Sequence, residues 1–168
     1  MDDDFSLFHR YAKLDFALLA HEFQLPYEDE RFDMVISGGV LEHVAFERES
    51  MMEVWRTLKG DGLFVITFLP NRGSISENLH RLLGHFGGHN RLYSLARAKE
   101  SFLRRGFVLE TAGYHQIFPT LGKNVRSQRA AMLIAGLGAR LNRPLERVPG
   151  VRGIASNLYF VLRKAKYM

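Results

Sequence analysis

Two uninterrupted apolar runs, joined by an amphipathic segment, constrain the fold of this chain more than any other feature. The runs are Met34–Ile36 and Leu63–Leu69, and each is followed by residues that let the backbone turn, Ser37–Gly39 and Pro70–Asn71. Between the runs, apolar side chains recur at helical spacing, at Met51, Val54, Trp55 and Leu58. This pattern predicts a strand, a helix and a second strand, with the two strands parallel, adjacent and buried on both faces.

Capping residues and periodicity extend the prediction toward the C-terminus. Ser74 and Glu77 have the spacing of a capping box, and Ser94 is a good N-cap for a helix that Gly106 ends. The further predicted elements are a helix from Ser74 to about Gly84, a helix after Ser94, a strand over Phe107–Thr111, a helix over about Val125–Leu141 and a last strand over Leu158–Leu162. With no internal repeat or linker, we expect residues 1–168 to form a single domain.

Composition excludes several classes of protein. The chain has no cysteine, which rules out a disulfide scaffold, a thiolate metal site and a cysteine nucleophile. Its longest apolar stretch, Ala130–Ala139, is far shorter than the roughly 20 residues that a helix needs to span a membrane. Because the N-terminus is acidic where a signal peptide would be basic, we expect a cytoplasmic protein.

Charge is distributed unevenly along the chain. Residues 1–60 are acidic overall, whereas residues 61–168 are basic, with arginines scattered over predicted helices and turns. Scattered arginines are typical of a solvated surface, so we expect no specific nucleic-acid binding. The segment Val125–Arg143 carries arginines around an apolar middle, and two interpretations stay open. It is either a core-packing helix with a solvated basic face or a helix that rests on an anionic membrane surface.

Four motifs together resemble the second half of a class I S-adenosylmethionine-dependent methyltransferase. They are LPYEDERFDMVISGGVLEHV (25–44), EVWRTLKGDGLFVITFLPN (53–71), HNRLYS (89–94) and RRGF (104–107). Within that superfamily they are most similar to the small-molecule group that includes ubiquinone and menaquinone methyltransferases. The resemblance implies the C-terminal portion of a Rossmann-like α/β fold, with a mostly parallel sheet and an antiparallel last strand.

The resemblance also implies a cofactor and a set of site residues. In this family S-adenosylmethionine lies across the carboxyl ends of the strands. The residues implied to contact it are His21, Glu22, Ser37, Gly38 and Gly39, the first two beside the adenine and the others at the end of the first strand. His43 is implied to lie near the transferring methyl group or the acceptor, where an imidazole could act as a base. The alternative for His43 is a structural histidine at the start of a helix.

The sequence departs from the family at its N-terminal side. The glycine-rich turn that holds the methionine and ribose parts of the cofactor has no counterpart, so the domain resembles a truncated methyltransferase, in which both intact and impaired cofactor binding stay open. Without the strands that precede it in the family, Met34–Ile36 would be an exposed apolar edge. Such an edge favours pairing with another chain, so two alternatives stay open: a truncated methyltransferase, or a homodimer that covers this edge.

Three histidines after Ser74 have spacings that raise the question of a metal site. His80, His85 and His89 are separated by glycines and have no neighbouring acidic residue in sequence, so we predict no metal site there.

The leading function is methyl transfer to a small-molecule acceptor. The alternatives are a non-catalytic assembly or regulatory subunit and an adaptor that binds a membrane surface.

Overall fold

The computed structural model describes residues 17–82, 89, 91–118 and 128–166. In chain order the elements are β1 (Phe32–Gly38), α1 (Glu47–Thr57), β2 (Leu58–Pro70), α2 (Ile75–Leu82), α3 (Leu95–Leu103), β3 (Phe107–His115), α4 (Gln128–Leu145), a 3-10 helix (Arg152–Ile154) and β4 (Asn157–Lys164). The predicted strands and helices are therefore all present within these residues. The predicted start of α4, at Val125, and the predicted end of α2, at about Gly84, lie outside them.

The two apolar runs are adjacent parallel strands, as predicted. Met34 lies opposite Leu63 and Ile36 opposite Val65, with α1 as the connection between the strands. The register shifts between Phe32 and Met34, because β2 advances from Leu58 to Leu63 while β1 advances by two residues. The sequence prediction of a βαβ unit is confirmed.

The sheet is mixed rather than mostly parallel. Its four strands have the order β1-β2-β4-β3, and β4 is antiparallel to both β2 and β3. β1, β2 and β3 run in one direction, but the last strand inserts between β2 and β3, so two of the three pairings are antiparallel. The expectation of a mostly parallel sheet is wrong for this reason, whereas the antiparallel last strand is confirmed.

One face of the sheet holds the hydrophobic core. Phe64 and Ile66 of β2 and Phe160 and Leu162 of β4 are fully buried there. The Phe102 ring of α3 packs edge-on against Phe160, with ring centroids 5.0 Å apart. Burial of such side chains contributes about 1.5–3 kcal/mol each, so this face is the main source of stability among the described elements.

The opposite face of the sheet is apolar but exposed. Met34 and Ile36 are 47% and 67% exposed, although both were predicted to be buried on both faces. Ile36, Val65 and Val161 form a row across this face, because paired residues on neighbouring strands point the same way. No described element covers the row, which explains why the double-burial prediction is wrong. Since β1 also lies at the edge of the described sheet, the expected apolar edge is confirmed.

Helix α1 anchors the segment that precedes β1. Glu53 accepts hydrogen bonds from the Arg56 guanidinium at 2.8 Å and from the backbone N–H of Leu25 at 3.0 Å, while Arg56 also pairs with Asp29 at 2.6 Å. Trp55 packs against the core and donates its indole N–H to a backbone carbonyl. Phe46 precedes the helix, is partly exposed and contacts the ring of Phe23.

Helix α4 presents apolar side chains to solvent in the part of the chain that the structure describes. Met132, Leu133 and Leu137 are all largely exposed. The core-packing interpretation of this helix is therefore wrong for these residues, and the membrane-surface alternative stays a prediction. Among the described residues, the helices are too short or too polar to cross a bilayer.

A substitution of Phe160 tests the assignment of the core. We expect Phe160→Ala to lower the free energy of unfolding by about 3–5 kcal/mol, because it leaves a cavity under Phe102. Phe68→Ala is the matched control, since the Phe68 side chain on β2 is half exposed, and it should cost far less. Urea unfolding of both variants measures the difference, and equal losses would contradict the assignment.

A pH titration tests the Glu53 anchor. The hydrogen bond from Arg56 lowers the pKa of Glu53 from its ordinary value of 4.5, and the Leu25 N–H acts in the same direction. A carboxyl group whose pKa is lowered on folding stabilises the fold above its ordinary pKa, and this contribution is lost as pH falls through the lowered value. Glu53→Gln should cost about 1–3 kcal/mol at neutral pH and reduce the loss of stability below pH 4.5. Parallel acid-dependent melts of wild type and variant that show the same pH slope would contradict this.

Candidate functional site

The carboxyl ends of β1 and β2 meet at one level of the sheet and form the floor of the candidate site. Gly38 lies opposite Thr67, and the backbone N–H of Gly39 donates to the Thr67 carbonyl oxygen at 3.1 Å. Gly39 has a φ of +64°, a conformation that favours glycine. Ser37–Gly39 therefore leaves the strand in a tight turn at the edge where parallel sheets of this kind bind ligands.

The turn after Gly39 is anchored through Leu41. Its side chain is buried in the core, and its carbonyl oxygen accepts hydrogen bonds from Arg91 Nη1 at 3.0 Å and from the Tyr93 hydroxyl at 3.3 Å. Burial raises the pKa of Tyr93 to about 12, so the hydroxyl remains a proton donor at neutral pH. Tyr93 is held in turn by its backbone N–H, which donates to Pro70 at the end of β2.

Three side chains with metal- and proton-binding atoms converge on this turn. One donor atom from each of Glu42, His43 and His89 lies within 4.8 Å of the others. Glu42 Oε1 is 3.8 Å from His43 Nε2, and the His43 and His89 rings are 5.7 Å apart between centroids. The Glu42 side chain is 2% exposed and that of His43 is 61% exposed, so the cluster connects the interior with the surface.

Helix α2 positions His89. Glu77, in the first turn of that helix, has its Oε1 atom 2.9 Å from His89 Nδ1. The backbone N–H of Glu77 donates to Ser74 Oγ at 3.2 Å, which confirms Ser74 as the predicted cap. Arg81 of the same helix donates to the backbone carbonyl of His89 at 2.9 Å. His89 is therefore held at both its ring and its backbone.

Two carboxylate oxygens at this site are buried without a hydrogen-bond partner among the described residues. They are Oε2 of Glu42 and Oε2 of Glu77. Buried carboxylate oxygens are normally paired, because their desolvation costs several kcal/mol otherwise. The arrangement is thus suited to a positively charged ligand.

The structure brings some of the predicted site residues together and leaves others apart. Ser37, Gly38, Gly39 and His43 all lie at the carboxyl edge of the β1–β2 pair. His21 and Glu22 are exposed, and the His21 ring packs on Phe23 with centroids 4.8 Å apart. Phe23 in turn contacts Phe46, just before α1. The predicted roles of all six residues stay predictions.

Sequence reasoning missed Glu42, Glu77 and the position of His89. Glu42 adjoins His43 in the sequence, and Glu77 was identified only as part of a capping box. Their association with His89 depends on how α2 and the segment after it fold back over the turn, which no local pattern encodes. His85 and the side chain of His80 lie outside the described residues.

Comparison with known proteins supports the methyltransferase resemblance. Residues 7–66 match the sequence family described as a methyltransferase domain, which is somewhat more than a third of the chain. The match covers β1, α1 and the first part of β2. No curated protein matches the sequence closely enough to count as a relative.

Solved structures share the fold at low sequence identity. A chain in the complex of the Haloferax volcanii Trm112 methyltransferase activator with a methyltransferase is 17% identical, with a TM-score of 0.60 over 95% of this chain and 66% of that one. An S-adenosylmethionine-dependent methyltransferase from Thermotoga maritima is 16% identical, with a TM-score of 0.58 over 89% of this chain and 64% of that one. The [4+2]-cyclase SpnF is 18% identical, with a TM-score of 0.55 over 97% of this chain and 60% of that one.

These likenesses establish the fold. The described elements form a methyltransferase-like α/β fold of the Rossmann-like class. The chain spans about two thirds or less of the length of each of the three solved structures. Because one of them is a cyclase, the shared fold does not by itself specify the reaction.

Proposed function

We propose that this chain carries out S-adenosylmethionine-dependent methyl transfer to a small-molecule acceptor at the carboxyl edge of β1 and β2. The observation that carries the proposal is the glycine turn at Ser37–Gly39, which lies inside the segment that matches the methyltransferase domain. The small-molecule acceptor is supported by the resemblance of residues 25–71 to quinone methyltransferases. The low-identity structural neighbours support the fold on which this edge is built.

The residues at this edge fit a nucleoside-type cofactor. Gly39 has no side chain and its backbone turns with a positive φ, so a ligand can approach the main chain closely. A Cβ at Gly38 would come within 3.3 Å of Thr67 Oγ1, which indicates that the two strand ends are tightly apposed below such a ligand. Ser37 would add a hydroxyl group that can bond a polar part of the cofactor.

The cofactor would supply a methyl group bonded to a sulfonium sulfur, so that in-line attack of the acceptor atom on the methyl carbon would break the carbon–sulfur bond and release S-adenosylhomocysteine. The contribution of the chain is to align the acceptor with that group and to exclude water, which accounts for most of the rate in such reactions. The His43 side chain is exposed at the same edge. We assign it the role of accepting a proton from the attacking oxygen or nitrogen.

Binding of S-adenosylhomocysteine tests the proposed function. Calorimetric titration of the chain should give a micromolar dissociation constant, and Gly39→Val should weaken binding at least about tenfold because a branched side chain blocks the approach to the backbone. Gly150→Val is the matched control. Gly150 also has a positive φ, but it lies in the turn after α4 and has open space around it.

Two outcomes would contradict the proposal. One is the absence of heat with millimolar ligand, which would favour a subunit without cofactor. The other is equal weakening by Gly39→Val and Gly150→Val, which would show that backbone strain rather than ligand contact is responsible. Circular dichroism of both variants checks that each is folded.

A second candidate function is a non-catalytic assembly or regulatory subunit. It is favoured by the apolar row of exposed Ile36 and half-buried Val65 and Val161, and by the position of β1 at the edge of the described sheet. Exposed apolar strands at an edge pair readily with another chain, and a second copy of this chain is the simplest partner. This candidate predicts a homodimer through β1.

Light scattering of the purified chain tests this homodimer. Wild type should have the mass of a dimer, and Ile36→Lys should give a monomer because it places a charge in the exposed row. Leu103→Lys is the control, since Leu103 is a partly exposed apolar residue on α3, away from that row. A wild-type monomer at high concentration, or dissociation by both substitutions, would contradict the dimer.

A further inference from the structure

We propose that Glu42, His43 and His89 bind one divalent transition-metal ion, with Glu77 as the residue that orients His89. Each of the three supplies one donor atom, and these atoms lie within 4.8 Å of one another. The proposal concerns metal binding by this chain and is independent of whether it binds S-adenosylmethionine. An imidazole that coordinates an ion cannot also accept a proton, so the base role proposed for His43 applies to the chain without the ion.

The contact between Glu77 and His89 is the strongest argument for a metal ligand. A carboxylate 2.9 Å from Nδ1 holds the proton of the imidazole on that nitrogen, which leaves the lone pair of Nε2 free. Metal-binding histidines almost always donate their other ring N–H to a carboxylate or carbonyl oxygen in this way. Glu77 is itself fixed by the cap at Ser74, so the orientation of His89 is set before any ion binds.

Glu42 supplies the second argument, since it is a buried carboxylate that lacks a partner for one oxygen. Its side chain is 2% exposed, and Oε2 has no hydrogen-bond partner among the described residues, while Oε1 is 3.8 Å from His43 Nε2. A buried anion with one free oxygen is costly unless a cation neutralises it. A bound ion shared with the two histidines would remove this cost.

The donor set indicates the class of metal. Two imidazole nitrogens and one carboxylate oxygen favour Zn²⁺ and similar transition-metal ions over Mg²⁺ or Ca²⁺, which prefer oxygen ligands. Metal–ligand bonds of about 2.0–2.2 Å require the donor atoms to approach somewhat more closely than they do here. His43 can make this movement because its side chain is 61% exposed.

Three protein ligands leave at least one coordination position for water or a substrate atom. This position would face the exposed side of the cluster, where His43 lies at the carboxyl edge of β1. Arg81 and Arg91 lie nearby, but each directs a donor at a backbone carbonyl, of His89 and Leu41 respectively. Arg91 Nη1 also pairs with Glu47 Oε2 at 3.1 Å, which offsets its charge.

Titration of the metal-free chain with Zn²⁺ tests the proposal, together with the absorption spectrum of bound Co²⁺. We expect one tight site, and we expect Glu42→Gln and His89→Gln each to weaken Zn²⁺ binding by about 100-fold or more. Glu77→Gln should weaken it by about 10–100-fold, because an orienting carboxylate contributes less than a ligand. The ligand-field bands of Co²⁺ should change with His43→Gln, since that substitution alters the coordination sphere.

His115→Gln is the matched control. His115 Nδ1 is 3.3 Å from Glu146 Oε1, so it is a histidine–carboxylate pair of the same kind outside the cluster. It should leave Zn²⁺ affinity unchanged, and thermal melts of every variant verify folding.

Several outcomes would overturn the proposal: no saturable Zn²⁺ binding, binding that the cluster substitutions leave intact, or equal weakening by His115→Gln. Loss of S-adenosylhomocysteine binding in Glu42→Gln without any effect on Zn²⁺ would also overturn it, and would assign the buried carboxylate to a cationic organic ligand. Because Zn²⁺ is titrated without cofactor, failure of the metal site and failure of methyl transfer are distinguishable.

Discussion

The alignment of two strand ends is the constraint on which the candidate site depends. β1 and β2 are parallel, and their register brings Gly38 level with Thr67, so both strands finish at one edge. The hydrogen bond from Gly39 to Thr67 continues the pairing one residue into the turn. A shift of one residue would reverse which side chains face the core and would move Ser37–Gly39 away from the edge.

Hydrogen bonds of the segment after β2 hold the residues of the candidate site in place at that edge. Asn71 is buried and donates to the carbonyl oxygens of Gly153 and Ala155, while its own side-chain oxygen accepts from the Gly73 N–H. These bonds fix the chain between β2 and α2, and Tyr93 pairs with Asn71 as an isolated bridge. The segment that carries Glu77 and Tyr93 toward the turn after β1 is therefore hydrogen-bonded to the loop before β4.

Local patterns in the sequence predicted much of the fold. The apolar runs at β1 and β2, the caps at Ser74 and Ser94 and the stop at Gly106 are short-range signals, and the structure confirms each of them. Such signals could not predict the insertion of β4 between β2 and β3, because an alternating strand pattern does not specify which strands pair with it. The same limit applies to burial. Ile36 has the sequence pattern of a core residue, but it lies on the face of the sheet that no described element covers.

The site was only partly predictable for a similar reason. A glycine turn after a buried strand is visible in sequence, and so is an imidazole close behind it. The convergence of Glu42 with His89 is a tertiary contact, produced by α2 and its Glu77 side chain. In sequence, Glu42 and Glu77 resemble ordinary surface or capping groups. In the structure they form a buried acidic site, and two histidines lie at its exposed side.

Backbone amide NMR of the labelled chain, titrated with S-adenosylhomocysteine, tests whether the carboxyl edge of β1 and β2 binds the cofactor. We expect the largest shift changes to fall on Ser37–Gly39 and on the turn through His43, at the carboxyl edge of β1. Gly106, at the opposite end of the sheet before β3, should stay unchanged. Shift changes concentrated at that opposite end, or spread evenly over the chain, would contradict the placement of the site.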